Sequence, residues 1–174
     1  VFLLDLDGTL YLDETPIGDM AHTLEALREH GKRVVYLTNN SSKTAKEYVR
    51  KLSRIGFYRE GDLVYTSAMA TAEYLRAAYP QKKVYLAATD AVKAEFFENG
   101  IEHSEEEGEI AVLAYDTTID FRKFCKLNEL IVRGAPYVAT HPDAVCPAKG
   151  VFPPDVGSFI ALLEASSGRR PDVI

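Results

Sequence analysis

Apolar positions along this chain alternate between two rhythms. Short unbroken runs stand at Val1–Leu4, Val34–Leu37, Leu63–Tyr65, Val84–Ala87, Ile110–Ala114 and Tyr137–Thr140. Runs of this length, bounded by turn residues, read as buried strands. Between them apolar residues recur every three or four positions, the period of a helix with one inward face. Helices are expected over Met20–His30, Thr44–Ile55, Ala68–Tyr79, Ala91–Glu98, from about Asp120 to Val132, and from Asp155 to Gly168. Asp19, Ser67, Asp90 and Asp155 are the expected caps, and Gly31, Gly56, Gly100 and Gly134 the stops. Met20, Leu24 and Leu27 share one face of the first helix. Phe121, Phe124, Leu127 and Ile131 share one face of the fifth. Segments 12–18, 105–108 and 141–154 read as loops, and Asp172-Val173-Ile174 as the start of a further strand. Strand, helix and parallel strand in succession build an α/β fold with parallel sheets. The alternation restarts after the polar joint Gln81-Lys82-Lys83. The division is therefore residues 1–79, a second α/β unit over 80–170, and 171–174 as the start of a return to the first.

The first run ends in chemistry. Val1-Phe2-Leu3-Leu4 leads into Asp5-Leu6-Asp7-Gly8-Thr9. Residues two apart on a strand share a face, so both carboxylates are expected on one side of a fully buried strand's tip. The carboxyl edge of a parallel sheet is where ligands bind. Like charges gathered at an apolar strand end call for a cation. A calcium loop of the EF-hand kind needs Gly at its sixth place and Glu at its twelfth. Counted from Asp5, those places hold Leu10 and Pro16, which excludes it. The next strand ends at Thr38-Asn39-Asn40-Ser41-Ser42, a polar turn at the same edge. Thr38 offers a hydroxyl, Asn39 an amide, and the turn through Asn40 backbone N–H groups that suit an anion.

Asp5-Leu6-Asp7-Gly8-Thr9, together with Thr38-Asn39-Asn40-Ser41-Ser42, resembles the first two motifs of the haloacid dehalogenase superfamily. The texture of Tyr65–Ala72, Ala139–Asp143 and Ser167–Pro171 is similar to its NagD-like and p-nitrophenylphosphatase-like branch, whose cap domain is inserted after the second motif. The resemblance implies a Rossmann-like core, here incomplete, in residues 1–79, and an α/β cap in 80–170. It implies Asp5 as a nucleophile that becomes an aspartyl-phosphate and Asp7 as general acid and base. Two carboxylates in opposite roles need environments that push their pKa values apart. It implies Mg²⁺ held by the Asp5 carboxylate, the Asp7 backbone carbonyl and an acid on a later strand. A lysine and that acid follow the cap in the family and are expected beyond Ile174. These 174 residues alone are therefore expected to hydrolyse no phosphate ester.

Composition narrows the partners. A net charge of −6 argues against a nucleic-acid surface and leaves an anionic substrate to be met locally. A phosphate monoester carries about −2, and two unit charges 4 Å apart repel by roughly 4 kcal/mol at an effective dielectric of 20, so a divalent cation is required beside Asp5. No apolar run is long enough for a bilayer. Val1–Leu4 lacks the basic flank and cleavage site of a signal peptide, so the Asn-x-Ser matches at Asn39 and Asn40 carry no weight. Cys125 and Cys146 form no framework or metal spacing and suit a reducing, cytoplasmic setting. A cap of this size favours small phosphorylated metabolites; the sequence leaves the oligomeric state open, and the resemblance allows a homodimer through the cap. In its long loop, Asp143, Cys146 and Phe152 are candidates to touch the leaving group. The rival reading is a catalytically silent module that binds a phosphorylated metabolite; a pair of carboxylates facing an anion argues against it.

Overall fold

The computed structural model describes Val1–Ile174. In chain order its elements are β1 (Phe2–Asp5), β2 (Tyr11–Leu12), β3 (Thr15–Pro16), α1 (Met20–Glu29), β4 (Val34–Thr38), α2 (Ala45–Arg54), β5 (Leu63–Thr66) and α3 (Ser67–Ala78). There follow β6 (Val84–Ala87), α4 (Asp90–Glu98), β7 (Ile110–Leu113), α5 (Phe121–Val132), β8 (Tyr137–Ala139) and α6 (Val156–Ser167). Two three-stranded sheets result, ordered β1-β4-β5 and β6-β7-β8. All their pairings are parallel. The α/β class expected from the alternation is what forms.

The second sheet is covered on both faces. Val84, Leu86, Ile110, Val112 and Val138 point to one side, against Ala68, Ala72 and Leu75 of α3 and Val92 and Phe96 of α4. Tyr85, Ala87, Ala111, Leu113, Tyr137 and Ala139 point to the other, against Leu127, Leu130 and Ile131 of α5 and Val156, Ile160 and Leu163 of α6. The strict alternation between two clusters is the period of two along a strand. It explains why these strands are unbroken apolar runs.

The first sheet is covered on one face. Val34 and Tyr36 pack with Leu24 of α1 and Tyr48 and Leu52 of α2, while Val35 and Leu37 between them stay partly exposed. Within these 174 residues β1 stands at one edge of its sheet, and Phe2 and Leu3 are 41% and 64% exposed. An apolar run shows that a strand can be buried on both faces; which neighbours cover it is decided elsewhere in the chain.

Local departures have identifiable causes. Segment 12–18 is no plain loop, because β2 and β3 pair antiparallel within it. Asp13 takes a φ of +54° there, and Asp tolerates the left-handed region such a tight turn needs. Asp19 stands at the start of α1 without a side-chain cap bond. Thr66 and Thr89 cap α3 and α4, each one residue before the expected Ser67 and Asp90. A β-region hydroxyl whose side chain reaches the third amide onward makes the cap. Thr44 and Glu47 form a reciprocal capping box on α2. Phe121 is 83% exposed, since as the first residue of α5 it lies beyond the sheet's reach; Leu130 fills the inner face instead.

α3 follows β5 in the chain, yet its buried side chains belong to the second sheet's core. The last residues also join that sheet: Val173 bridges Val138, and Asp172 exchanges bonds with Tyr137. Between the sheets, buried Ser41 bonds Thr140 Oγ1 at 2.8 Å and accepts from the Tyr115 amide at 2.8 Å. Thr89 donates to the Ser42 carbonyl and Glu95 accepts from the Ala45 amide.

Candidate active site

The carboxyl ends of β1 and β4 and the start of α3 meet the loop after β8 around a cleft of about 500 Å³. Asp5, Asp7, Thr38, Asn39, Asn40, Asp143 and Cys146 all line it, with Tyr65, Thr66, Ser67 and Asp155. Parallel register explains the first part. Asp5 pairs with Leu37, and Thr38 with Thr66, so consecutive strand ends stop level with one another. Phe152 is not among the lining residues and stands 55% exposed. The loop folds back on itself by the Val145–Pro154 bridge, which leaves Phe152 outside.

The two leading carboxylates arrive by different means than strand alternation. β1 ends at Asp5, whose Oδ2 accepts from Thr9 Oγ1 at 2.5 Å. Leu6 is fully buried in the first core, and Gly8 turns the chain at φ +85°. Asp7 is thereby aimed toward α2. Its Oδ1 lies 3.3 Å from Lys51 Nζ and its Oδ2 accepts from Tyr48 at 3.5 Å. Asp5 has one neighbouring hydroxyl, and Asp7 a phenol hydroxyl and a buried ammonium.

Lys51 is the residue sequence reading missed. It is only 9% exposed, and its ammonium sits 3.8 Å from the centre of the Tyr11 ring. Burial lowers its pKa, and Asp7 works against that. The signal lay in spacing: 51 is three past Tyr48 and four before Ile55, on the inward stripe of α2. A lysine on that stripe needs an acid, and Asp7 is the acid it finds. Burial and the charge of Asp7 hold the hydroxyls of Tyr11 and Tyr48 in their protonated form.

The Thr38–Ser42 turn is built by its own side chains. Thr38 Oγ1 accepts from the Asn40 amide at 3.1 Å, and Asn40 Oδ1 accepts from the Ser42 amide at 2.9 Å and hydroxyl at 2.7 Å. Asn39 donates its amide to Asp143 Oδ2, and Asn40 donates to Cys146 Sγ at 3.8 Å. The 141–154 loop is thus held over the strand ends. Its base is fixed by Gly157, where an added Cβ would lie 2.2 Å from the Pro142 carbonyl. The Gly157 amide bonds the Asp143 carbonyl at 2.7 Å.

Behind the loop lies a buried pair. Asp155 caps α6 through the Val156 amide, and its Oδ1 is 3.4 Å from His141 Nε2. Burial, and then Asp143, raise the Asp155 pKa to about 6; burial lowers that of His141, with Asp143 opposing. Burial, Asp155 and Asp7 push the Cys146 thiol up, so it is a polar lining group and no ready nucleophile.

The donors here are hard oxygens. No group of three or more His, Cys, Asp or Glu side chains converges on one point. Magnesium needs few side chains, keeping one or two carboxylates with several waters. The exposed Asp5 carboxylate beside the Asp7 backbone fits such a partial set. No helix is long and apolar enough to cross a membrane.

The family model described as haloacid dehalogenase-like hydrolase matches residues 2–102. An acid sugar phosphatase of Staphylococcus haemolyticus is 29% identical over 99% of this chain, which spans 66% of that relative's length. A crystal structure of a 4-nitrophenylphosphatase from Thermotoga maritima superposes with a TM-score of 0.93 at 41% identity, over 99% of this chain and 66% of the other. A glycerol phosphate phosphatase from Mycobacterium tuberculosis in complex with magnesium superposes at 0.89 with 30% identity, over 98% of this chain and 53% of that one. Solved proteins of this shape thus extend well beyond the length seen here.

Proposed function

Since the chain belongs to the haloacid dehalogenase-like hydrolase family, we propose that it carries the nucleophile, the general acid and the cap of a phosphomonoesterase acting on small phosphorylated metabolites. The observation that carries this reading is one cleft lined by Asp5, Asp7, Thr38, Asn39 and Asn40. In it, Asp5 attacks phosphorus and forms an aspartyl-phosphate, as a carboxylate nucleophile can without a base of its own. Asp7, oriented by Lys51 and Tyr48, takes up a proton when substrate enters, passes it to the leaving oxygen and afterwards takes one from the attacking water. The Thr38 hydroxyl donates to a phosphoryl oxygen, while the Asn40 and Ser42 amides hold the turn in shape. The Asn39 side chain is already given to Asp143, so its part is to hold the loop above the phosphate until substrate competes for it.

Mg²⁺ would be held by the Asp5 carboxylate and the Asp7 carbonyl, with an acid from outside these residues, and would neutralise phosphate charge. The magnesium complex of the mycobacterial relative supports that assignment. The free thiols of Cys125 and Cys146 favour a cytoplasmic setting. Pairing of two copies through the second α/β unit is retained as part of the proposal. A silent binding module is disfavoured, because carboxylates lining an anion site weaken binding unless they react.

The decisive experiment is turnover of p-nitrophenyl phosphate by the full-length protein, with and without Mg²⁺, beside Asp5→Asn. Turnover is expected only with the metal, and the variant is expected to lose about three orders of magnitude or more. Asp5 is exposed, so its melting temperature should not change. Unchanged activity in Asp5→Asn would refute the mechanism.

A further inference from the structure

A second cavity, of about 560 Å³, opens beside the first and shares Asp7, Asn40, Cys146 and Pro147 with it. One wall is a single stripe of α2 and the residue leading into it: Lys43, Glu47, Arg50, Lys51 and Arg54, at the spacing that aligns side chains on a helix. The facing wall is Tyr115, Thr117 and the 146–148 segment. Two of the cations are committed: Lys51 to Asp7 and Arg54 to Glu14. Glu47 is turned back on the Thr44 amide and hydroxyl. Lys43 and Arg50 are exposed and enter no ion pair; the one further acid of the lining is Asp13, on the β2–β3 turn.

The shared residue gives the cavity its meaning. In an in-line displacement the leaving oxygen departs on the side opposite the nucleophile. Asp7 is the group assigned to protonate that oxygen, and Asp7 is the floor common to both cavities. The phosphoryl group therefore occupies the first, against Asp5 and the Thr38 turn, and the leaving group extends past Asp7 into the second. We propose that Lys43 and Arg50 form a subsite for a second anionic group, carboxylate or phosphate, carried by that leaving group. The inference rests on the phosphomonoesterase reading and adds its substrate class: esters whose alcohol part is itself acidic. Arg50 Nε donates to the Lys46 carbonyl at 3.4 Å, which leaves its two terminal nitrogens, like the Lys43 ammonium, free to bind such a group without first breaking an ion pair.

The test compares kcat/KM of the full-length protein for 3-phosphoglycerate, fructose 1,6-bisphosphate, glycerol 3-phosphate and p-nitrophenyl phosphate. The wild type should prefer an acidic ester over glycerol 3-phosphate by tenfold or more; the carboxylate and bisphosphate arms tell which anion it takes. In the double variant Lys43→Gln, Arg50→Gln that ratio should fall about tenfold, mainly through KM, and Arg50→Glu should lower it further. Raised ionic strength should shrink the wild-type ratio. Both positions are exposed, so melting curves should match the wild type. No preference in the wild type, or an equal loss on all esters in the variants, would overturn the subsite while leaving the phosphatase reading intact. Absence of turnover on every ester, including p-nitrophenyl phosphate, would remove that reading and the subsite with it.

Discussion

In the sheet of β6, β7 and β8 every strand residue is buried. In the sheet of β1, β4 and β5 burial reaches every second residue at best, and β1 has none fully buried. Both sheets are parallel and three-stranded; the strands of the second are wholly apolar, and those of the first are apolar up to the Asp5, Thr38 and Thr66 that end them. The difference is coverage: two helices on each face of one, two helices on a single face of the other. The closed sheet carries a loop over the cleft, and the open one carries the carboxylates into it. A parallel strand becomes chemically useful at its end, where backbone amides and short polar side chains leave the ladder; burial of its middle is a separate matter.

The difference can be tested by substitution. Leu113→Ala in the closed sheet should cost about 2–5 kcal/mol in denaturant unfolding, the range for a fully enclosed leucine. Leu3→Ala on the open edge of this 174-residue chain should stay within about 0.5 kcal/mol. Equal costs would mean the sheets are equally covered. A cost above about 1 kcal/mol for Leu3→Ala in a longer protein would place further structure on that edge.

A pH-dependent effect is expected behind the 141–154 loop. The Asp155 carboxyl has its pKa raised to about 6 from an ordinary 3.8, so the folded chain holds that proton more tightly than the unfolded chain. This contribution to stability is full below about pH 4 and is lost as pH rises through about 6, by up to ~3 kcal/mol. His141, lowered by burial, contributes in the opposite sense: stability present above its ordinary value and lost as pH falls. Asp155→Asn, which keeps a capping side chain, should therefore gain on the wild type between pH 4 and 6. A difference that does not vary with pH would show that Asp155 is not held protonated by burial. Gly157→Ala is expected to cost about 1–3 kcal/mol as an overpacked site, because its methyl meets the Pro142 carbonyl. Faster proteolysis confined to segment 141–154 would locate that strain; cleavage elsewhere would not fit.

The sequence was informative where chemistry depends on neighbours in the chain. Asp5 and Asp7 were marked by their place after an apolar run, and the Thr38 turn by its place after the next. Asp143 and Cys146 were drawn from the long loop and do line the cleft; Phe152 came from the same loop and does not, because bridge pairing within the loop is not written in its composition. Lys51 went unnoticed because a lysine on a helix is ordinarily solvated, and only the fold brings Asp7 across forty-four positions to it.

Local order and element type were settled by the chain itself, since periodicity of two or 3.6 and capping residues act within a few positions. Three things required the tertiary structure. One was which core each helix joins, because α3 follows β5 in the chain and yet packs on the second sheet. Another was the direction in which Asp7 points, because it is set by a buried leucine and a glycine turn beyond the strand. The last was the cavity walled by Lys43 and Arg50, because a space between two units exists only once both have packed.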